Sequence, residues 1–130
     1  MKKNLLFVCV ENSNRSQMAQ AFAIIHGEDM VNAFSAGSAP LGKINSRAIE
    51  VMREIGYDLS AHSSKSLALI PDITFDHVVT MGCGDACPHV KAIQSLDWQI
   101  PDPRNMDMEG FREVRSLIEE KVKELLLEDY

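Results

Sequence analysis

The chain begins its patterning with an unbroken apolar run, Leu5-Leu6-Phe7-Val8-Cys9, the mark of a strand covered on both faces. A polar stretch from Val10 to Asn14 follows. Met18, Ala21, Phe22 and Ile25 then recur at helical spacing and predict an amphipathic helix. Gly27 reads as its end signal, with His26 as a cation-capable residue in the last turn. Val31-Asn32-Ala33-Phe34-Ser35 predicts a second strand, stopped by Ala36-Gly37-Ser38-Ala39-Pro40. A second helix is expected from about Asn45 to Ile55, with Ile44, Ala48, Val51, Met52 and Ile55 inward and Gly56 closing it. Residues 57–72 are polar and serine-rich, a loop with a short helical turn, packed down by Leu67-Ala68-Leu69-Ile70. His62 and Lys65 in this loop read as solvated side chains, with an approach to a neighbouring anion site as the alternative. Phe75 to Met81 is a third strand with His77 half-exposed near its start. A short helix is expected from Pro88 through Ile93, then an edge strand, Leu96 to Ile100, in which Trp98 serves as packing. Pro101-Asp102-Pro103 ends it. The last helix starts at Asp107 or Met108 and carries Phe111, Val114, Ile118, Val122 and Leu125 as its inward stripe.

Strands alternating with helices imply right-handed crossovers and a doubly wound α/β architecture. The expectation is one domain over residues 1–130, an open sheet of four parallel strands with helices on both faces. With 130 residues, 45% hydrophobic and 25% charged, the chain suits one core. A net charge of −6 argues against nucleic-acid or anionic-membrane binding, so an anion site must be a local feature. The apolar run is too short for a membrane span, and Glu11-Asn12 follows it without a cleavage pattern. A cytoplasmic monomer is expected.

Chemistry concentrates in Cys9-Val10-Glu11-Asn12-Ser13-Asn14-Arg15-Ser16, between the first strand and the first helix. A loop at a helix N-terminus aims backbone N–H groups at an anion, and the helix adds a partial positive charge. The Arg15 guanidinium can hold two oxyanion oxygens at once. Those same donors ease ionisation of a thiol, and the Ser16 hydroxyl can donate to it. The pattern describes a cysteine nucleophile beneath a phosphate-like ion. Asp102 is stiffened by Pro101 and Pro103 and falls, like Cys9 and Gly82-Cys83, at a strand's C-terminal end, where such sheets bind ligands. A carboxylic acid there suits protonation of a leaving oxygen. The three cysteines, Cys9, Cys83 and Cys87, are an odd count that disfavours a disulfide framework and favours catalytic, redox or metal roles.

Val8-Cys9 through Ser16, with Gln17-Met18-Ala19 after it, resembles the signature of the low-molecular-weight protein tyrosine phosphatase superfamily, and within it the arsenate reductases. The resemblance spans nearly the whole chain and implies the strand order 2-1-3-4. It also implies roles. Cys9 would attack arsenic, Asp102 would protonate the departing oxygen, and Cys83 would attack the Cys9 sulfur as arsenite leaves. Cys87 would then take over the disulfide and present it to an external thiol reductant, thioredoxin or glutathione with glutaredoxin. No bound cofactor is implied.

This chain departs from the pattern in informative ways. Only Gly84-Asp85-Ala86 separates Cys83 from Cys87, a short spacing for the thioredoxin-coupled branch. Arg104-Asn105-Met106 follow Asp102-Pro103 where the phosphatases of the family carry aromatic residues, which disfavours phosphotyrosine. Gln20 stands where part of the family has a carboxylate for a potassium site, although Asn12 and Ser35 would suit one. A zinc site from Cys83, Cys87 and His89 lacks an evident fourth ligand, so no metal is expected. Three readings remain. One is an arsenate reductase with a Cys9/Cys83/Cys87 relay, serving arsenic detoxification. The second is a phosphatase hydrolysing phosphate monoesters through a Cys9 phospho-enzyme. The third is a non-catalytic thiol redox sensor that binds phosphate or sulfate.

Overall fold

The computed structural model describes residues 2–81 and 90–129. Its strands are β1 (Lys3–Cys9), β2 (Val31–Gly37), β3 (Phe75–Thr80) and β4 (Ala92–Asp97). Its helices are α1 (Arg15–Gly27), α2 (Ser46–Arg53) and α3 (Met108–Asp129). The four strands form one parallel sheet in the order β2-β1-β3-β4. The order changes direction at β1, and β1 is flanked on both sides, which is why its residues from Leu5 to Cys9 are all buried. Its alternation divides the core. Leu5, Phe7 and Cys9 join the cluster built by Met18, Phe22, Val51, Met52, Phe111 and Ile118 of the three helices. Leu6 and Val8 face the other way, into a smaller cluster with Phe75 and Val78, covered by Leu67, Ile70, Ile73 and Val90.

The inward stripe of α3 matches its helical spacing, with Phe111, Val114, Ile118, Val122 and Leu125 all buried. Other expectations need correction. Ile25 and Ile55 are exposed; Ile25 lies outside the buried stripe of α1, and α2 stops at Arg53 rather than Ile55, which leaves Ile55 in the turn that follows. Gly27 does not take a left-handed cap. It is buried, and an added Cβ would lie 3.0 Å from a Leu126 methyl, so it permits α1 to pack against α3. His77 is buried, not half-exposed, and its Nε2 lies 2.6 Å from Gln94 Oε1 on the paired strand. The edge strand starts at Ala92 and stops at Asp97, not at Leu96 and Ile100. Ile93 therefore lies in a strand and not in a helix, and Pro88 lies outside the described residues. Trp98 N–H still donates to Thr80 O at 2.8 Å, but Ile100 N–H turns back to Trp98 O, as Pro101 and Pro103 lack the N–H a strand would need. Trp98 packs against the Phe7 ring at 5.9 Å.

Between α2 and α3, Glu54 receives Arg112 Nη2 at 2.9 Å and Arg115 Nη1 at 2.8 Å. Hydrogen bonds from these two guanidinium groups bring its carboxyl down from the usual 4.5 to about 2. A depressed folded-state pKa stabilises fully above the unfolded value and is lost as pH falls through the folded one. The stability difference between the native protein and Glu54→Gln is therefore expected to shrink to nothing between pH 4.5 and 2 in urea titrations.

At its C-terminal end β2 touches the loop after β1. A Cβ on Gly37 would lie 2.5 Å from Val10 O and 3.0 Å from Asn12 N, both backbone atoms. Gly37→Ala must push the two segments apart and is expected to cost about 1–3 kcal/mol of stability, measured as a lower urea midpoint.

Candidate active site

The level ends of β1 and β2, where Cys9 pairs with Gly37, set the position of loop 10–14. This loop is held from outside by its carbonyls. Val10 O accepts from Ala39 N–H, Glu11 O from Leu41 N–H, and Ser13 O from Asn45 N–H, at 2.9, 2.9 and 3.2 Å. Asn12 O accepts from Gln17 Nε2 at 3.0 Å. In a planar trans peptide the N–H points opposite to the C=O, and no peptide described is cis. The N–H groups of Glu11, Asn12, Ser13 and Asn14 must therefore turn away from these braces. Asn12 makes the curl possible with a left-handed φ of 48°, a region that asparagine tolerates better than most residues. Ser13 Oγ and Asn14 Oδ1 are buried without a partner among the described residues.

On the concave side lies a cavity of about 320 Å³, lined by Cys9, Val10, Glu11, Asn14, Arg15, Asp102 and Arg104. Cys9 is a free, buried thiol. Its Sγ lies 2.9 Å from Ser16 Oγ in the first turn of α1. The orientation of that hydroxyl follows from its surroundings. Asn12 Oδ1 receives Lys65 N–H at 2.8 Å and Gln17 Nε2 at 2.9 Å, so it is the oxygen of the amide. Asn12 Nδ2 then donates to Ser16 Oγ at 2.7 Å, leaving the Ser16 proton for the sulfur. The chain of donors extends further back. Gln17 Nε2 is committed to oxygens, so Gln17 Oε1 accepts from His62 Nδ1 at 3.0 Å, and His62 Nε2 accepts from Tyr57 Oη at 2.6 Å. Burial, with Lys65 nearby, lowers the His62 pKa, and burial raises that of Tyr57, which matches this assignment. Every bond in the series points its proton toward Cys9, an arrangement in which each bond strengthens the next.

Arg15 is buried at the base of the cavity, with Nη1 donating to Ile100 O at 3.1 Å and Nη2 lying 3.8 Å from Asp102 Oδ2. Asp102 caps the 3-10 turn Pro103–Asn105 by accepting Arg104 N–H at 3.0 Å. The loop, Arg15, Ser16 and Asp102 thus lie together around Cys9. The His62 ring, read from sequence first as solvated, instead reaches Gln17 behind the loop, and Lys65 braces Asn12 through its backbone N–H. No local pattern announces that, since the contacts span up to 53 residues. Cys83 and Cys87 lie outside the described residues, as does His89. Gln20 accepts from Ser35 Oγ at 2.6 Å and donates to Ala33 O. Among the described residues no group of three or more His, Cys, Asp or Glu side chains is placed to hold a metal.

A sequence model described as low molecular weight phosphotyrosine protein phosphatase matches residues 4–129. The chain belongs to this family. It is 36% identical over 124 residues to a putative arsenate reductase of Halobacterium salinarum, covering 92% of this chain and 87% of that one. It is 35% identical over 127 residues to the glutaredoxin arsenate reductase of a Synechocystis species, covering 95% and 96%. A solved structure described as an arsenate reductase in the phosphate binding state superposes with a TM-score of 0.89 at 34% identity, covering 98% of this chain and 99% of that one. No helix among the described residues is long and apolar enough to cross a membrane.

Ser16→Ala removes the hydroxyl that meets the sulfur. A hydrogen bond to a charged group contributes about 1.5–3 kcal/mol, so alkylation of Cys9 by iodoacetamide at neutral pH is expected to slow roughly 10- to 100-fold. An unchanged rate would mean that the hydroxyl does not serve the thiolate.

Proposed function

We propose that this protein is an arsenate reductase. The observation that carries the reading is the wall of the cavity around Cys9. Its described lining holds two guanidinium groups, two carboxylates and an amide but no aromatic ring, which suits a small inorganic oxyanion and offers a phosphotyrosine ring no stacking partner. The relatives named arsenate reductase support the same choice.

In the proposed reaction arsenate lies in loop 10–14 against the inward N–H groups and Arg15. The Cys9 thiolate attacks arsenic(V), and the displaced oxygen leaves as water after taking a proton from Asp102. The Cys83 thiolate then attacks the Cys9 sulfur. A Cys9–Cys83 disulfide forms, the electron pair of the S–As bond stays with arsenic, and arsenite departs as arsenic(III). The Cys87 thiolate attacks Cys83 in turn, freeing Cys9 and leaving a Cys83–Cys87 disulfide. An external dithiol, thioredoxin or glutaredoxin with glutathione, returns it to two thiols, and the net result is arsenic detoxification.

The deciding measurement is arsenate-dependent consumption of reducing equivalents, run with thioredoxin and, separately, with glutathione and glutaredoxin. Turnover with either supports the reading. Rapid hydrolysis of p-nitrophenyl phosphate without arsenate reduction would replace it with a phosphatase. Cys87→Ser is expected to release one arsenite per protein and stop, with a Cys9–Cys83 bond found by peptide mapping. Normal cycling of that variant with thioredoxin would remove Cys87 from the relay.

A further inference from the structure

The cavity's four charged side chains come from two walls and pair crosswise. Glu11 belongs to the loop after β1 and Arg15 to the first turn of α1, whereas Asp102 and Arg104 belong to the turn after β4. Arg15 faces Asp102 at 3.8 Å, and Arg104 Nη1 meets Glu11 Oε2 at 3.2 Å. The two guanidinium groups sit at different depths. The Arg15 side chain is 10% exposed and that of Arg104 55%, with their partners Asp102 and Glu11 between them at 40% and 27%. Arg15 therefore lies at the base of the cavity, and the Arg104 guanidinium crosses it nearer the mouth.

The backbone under Arg104 is set, since Pro103 is buried and Arg104 N–H is held by Asp102 Oδ1. Its guanidinium reaches from this turn across to the opposite wall. Glu11 would repel an anion if left unpaired, and Arg104 neutralises it. In displacement at a tetrahedral centre the attacking and leaving groups lie roughly in line. With Cys9 attacking from the base, the leaving oxygen points outward past Asp102, toward the gap that Arg104 and Glu11 span. A free oxyanion carries nothing on that oxygen except a proton. A phosphate monoester carries its whole organic group there.

We propose that the Arg104–Glu11 bridge is the specificity-determining rim of this site, admitting free tetrahedral oxyanions and obstructing esters. The inference rests on the oxyanion reading of the cavity and adds to it the residues that choose between substrate classes by excluding the wrong one.

The test compares binding of inorganic phosphate and of benzylphosphonate, an unreactive ester mimic, by calorimetry with the full chain. The native protein is expected to prefer phosphate. In the double variant Glu11→Gln/Arg104→Ala, which removes the bridge without leaving an unpaired charge, the preference is expected to shift toward benzylphosphonate by about tenfold or more, the scale of a steric discrimination in a pocket. The reading is the ratio of the two affinities, so a change common to both ligands does not count toward the shift. Arg104→Ala alone should weaken both ligands, because Glu11 is then unpaired. An unshifted preference in the double variant overturns the proposal, as does equal binding of both ligands by the native protein. Loss of phosphate binding in the double variant also overturns it, by making these residues part of the cradle. Absence of arsenate reduction together with a shifted preference would defeat the functional reading and leave the rim standing.

Discussion

The site depends on which way four peptide planes face. The carbonyls of Val10, Glu11, Asn12 and Ser13 are all engaged from outside the curl. Peptide planarity then leaves the following N–H groups no direction but inward. An anion site in a protein of net charge −6 needs such a local source of positive potential, and oriented backbone dipoles supply it without further cationic side chains. Much of the surrounding fold can be understood as the means of holding these carbonyls. Residues 39–45 supply three of the donors. The close approach at Gly37 brings β2 within contact of the loop backbone, and Ser64 Oγ adds a second bond to Glu11 O at 3.1 Å.

The surroundings of the Cys9 sulfur, the proposed nucleophile, depend on a second constraint, which is the direction of protons. Ser16 could in principle donate to Asn12 or to Cys9. Lys65 N–H decides the matter by claiming the Asn12 oxygen, and the consequence passes through Asn12 to the Ser16 hydroxyl. Gln17 is fixed in the same manner by the Asn12 and Ser63 carbonyls, which only its amide nitrogen can serve. A buried network of this kind is favourable only when each member is satisfied, and here the near-complete burial of Asn12, Ser16 and Gln17 makes an incorrect orientation costly. Backbone and side chain thus cooperate, with the loop N–H groups turned inward and the Ser16 hydroxyl turned to the sulfur.

These two constraints also explain what sequence could and could not reveal. The first strand, the first helix and the stripe of α3 are visible because periodicity records burial along one element. Cys9, Arg15 and Ser16 are visible because their spacing at a strand–loop–helix junction has a direct chemical meaning, and Asp102 because two prolines hold it just after a strand. The bracing by Lys65, His62 and Tyr57 is not visible, since nothing local in a serine-rich loop states that its backbone meets Asn12 from 53 residues away. Burial of His77 is hidden for a similar reason. Its partner Gln94 belongs to a strand that pattern alone places too late, as the apolar alternation of Leu96 to Ile100 outweighs the sparse signal of an edge strand with Ile93 and Ser95 exposed.

A cradle with these properties is indifferent to whether phosphorus or arsenic occupies it. Both centres are tetrahedral, both carry oxyanion oxygens, and in the proposed reaction both accept a thiolate opposite a leaving oxygen that Asp102 protonates. Divergence begins only after the S–P or S–As bond has formed. Phosphorus has no accessible lower state under these conditions, so the intermediate can be resolved only by an oxygen nucleophile. Arsenic can keep the bonding pair, so a second thiol can resolve it at sulfur. The chemistry that separates a reductase from a phosphatase must therefore come from residues outside the cradle. It requires further thiols on one side, and on the other an entrance that decides whether the outward oxygen arrives bare or substituted. In the proposed function these parts fall to Cys83 and Cys87 and to the Arg104–Glu11 bridge, while the cradle residues are those that either reaction would use.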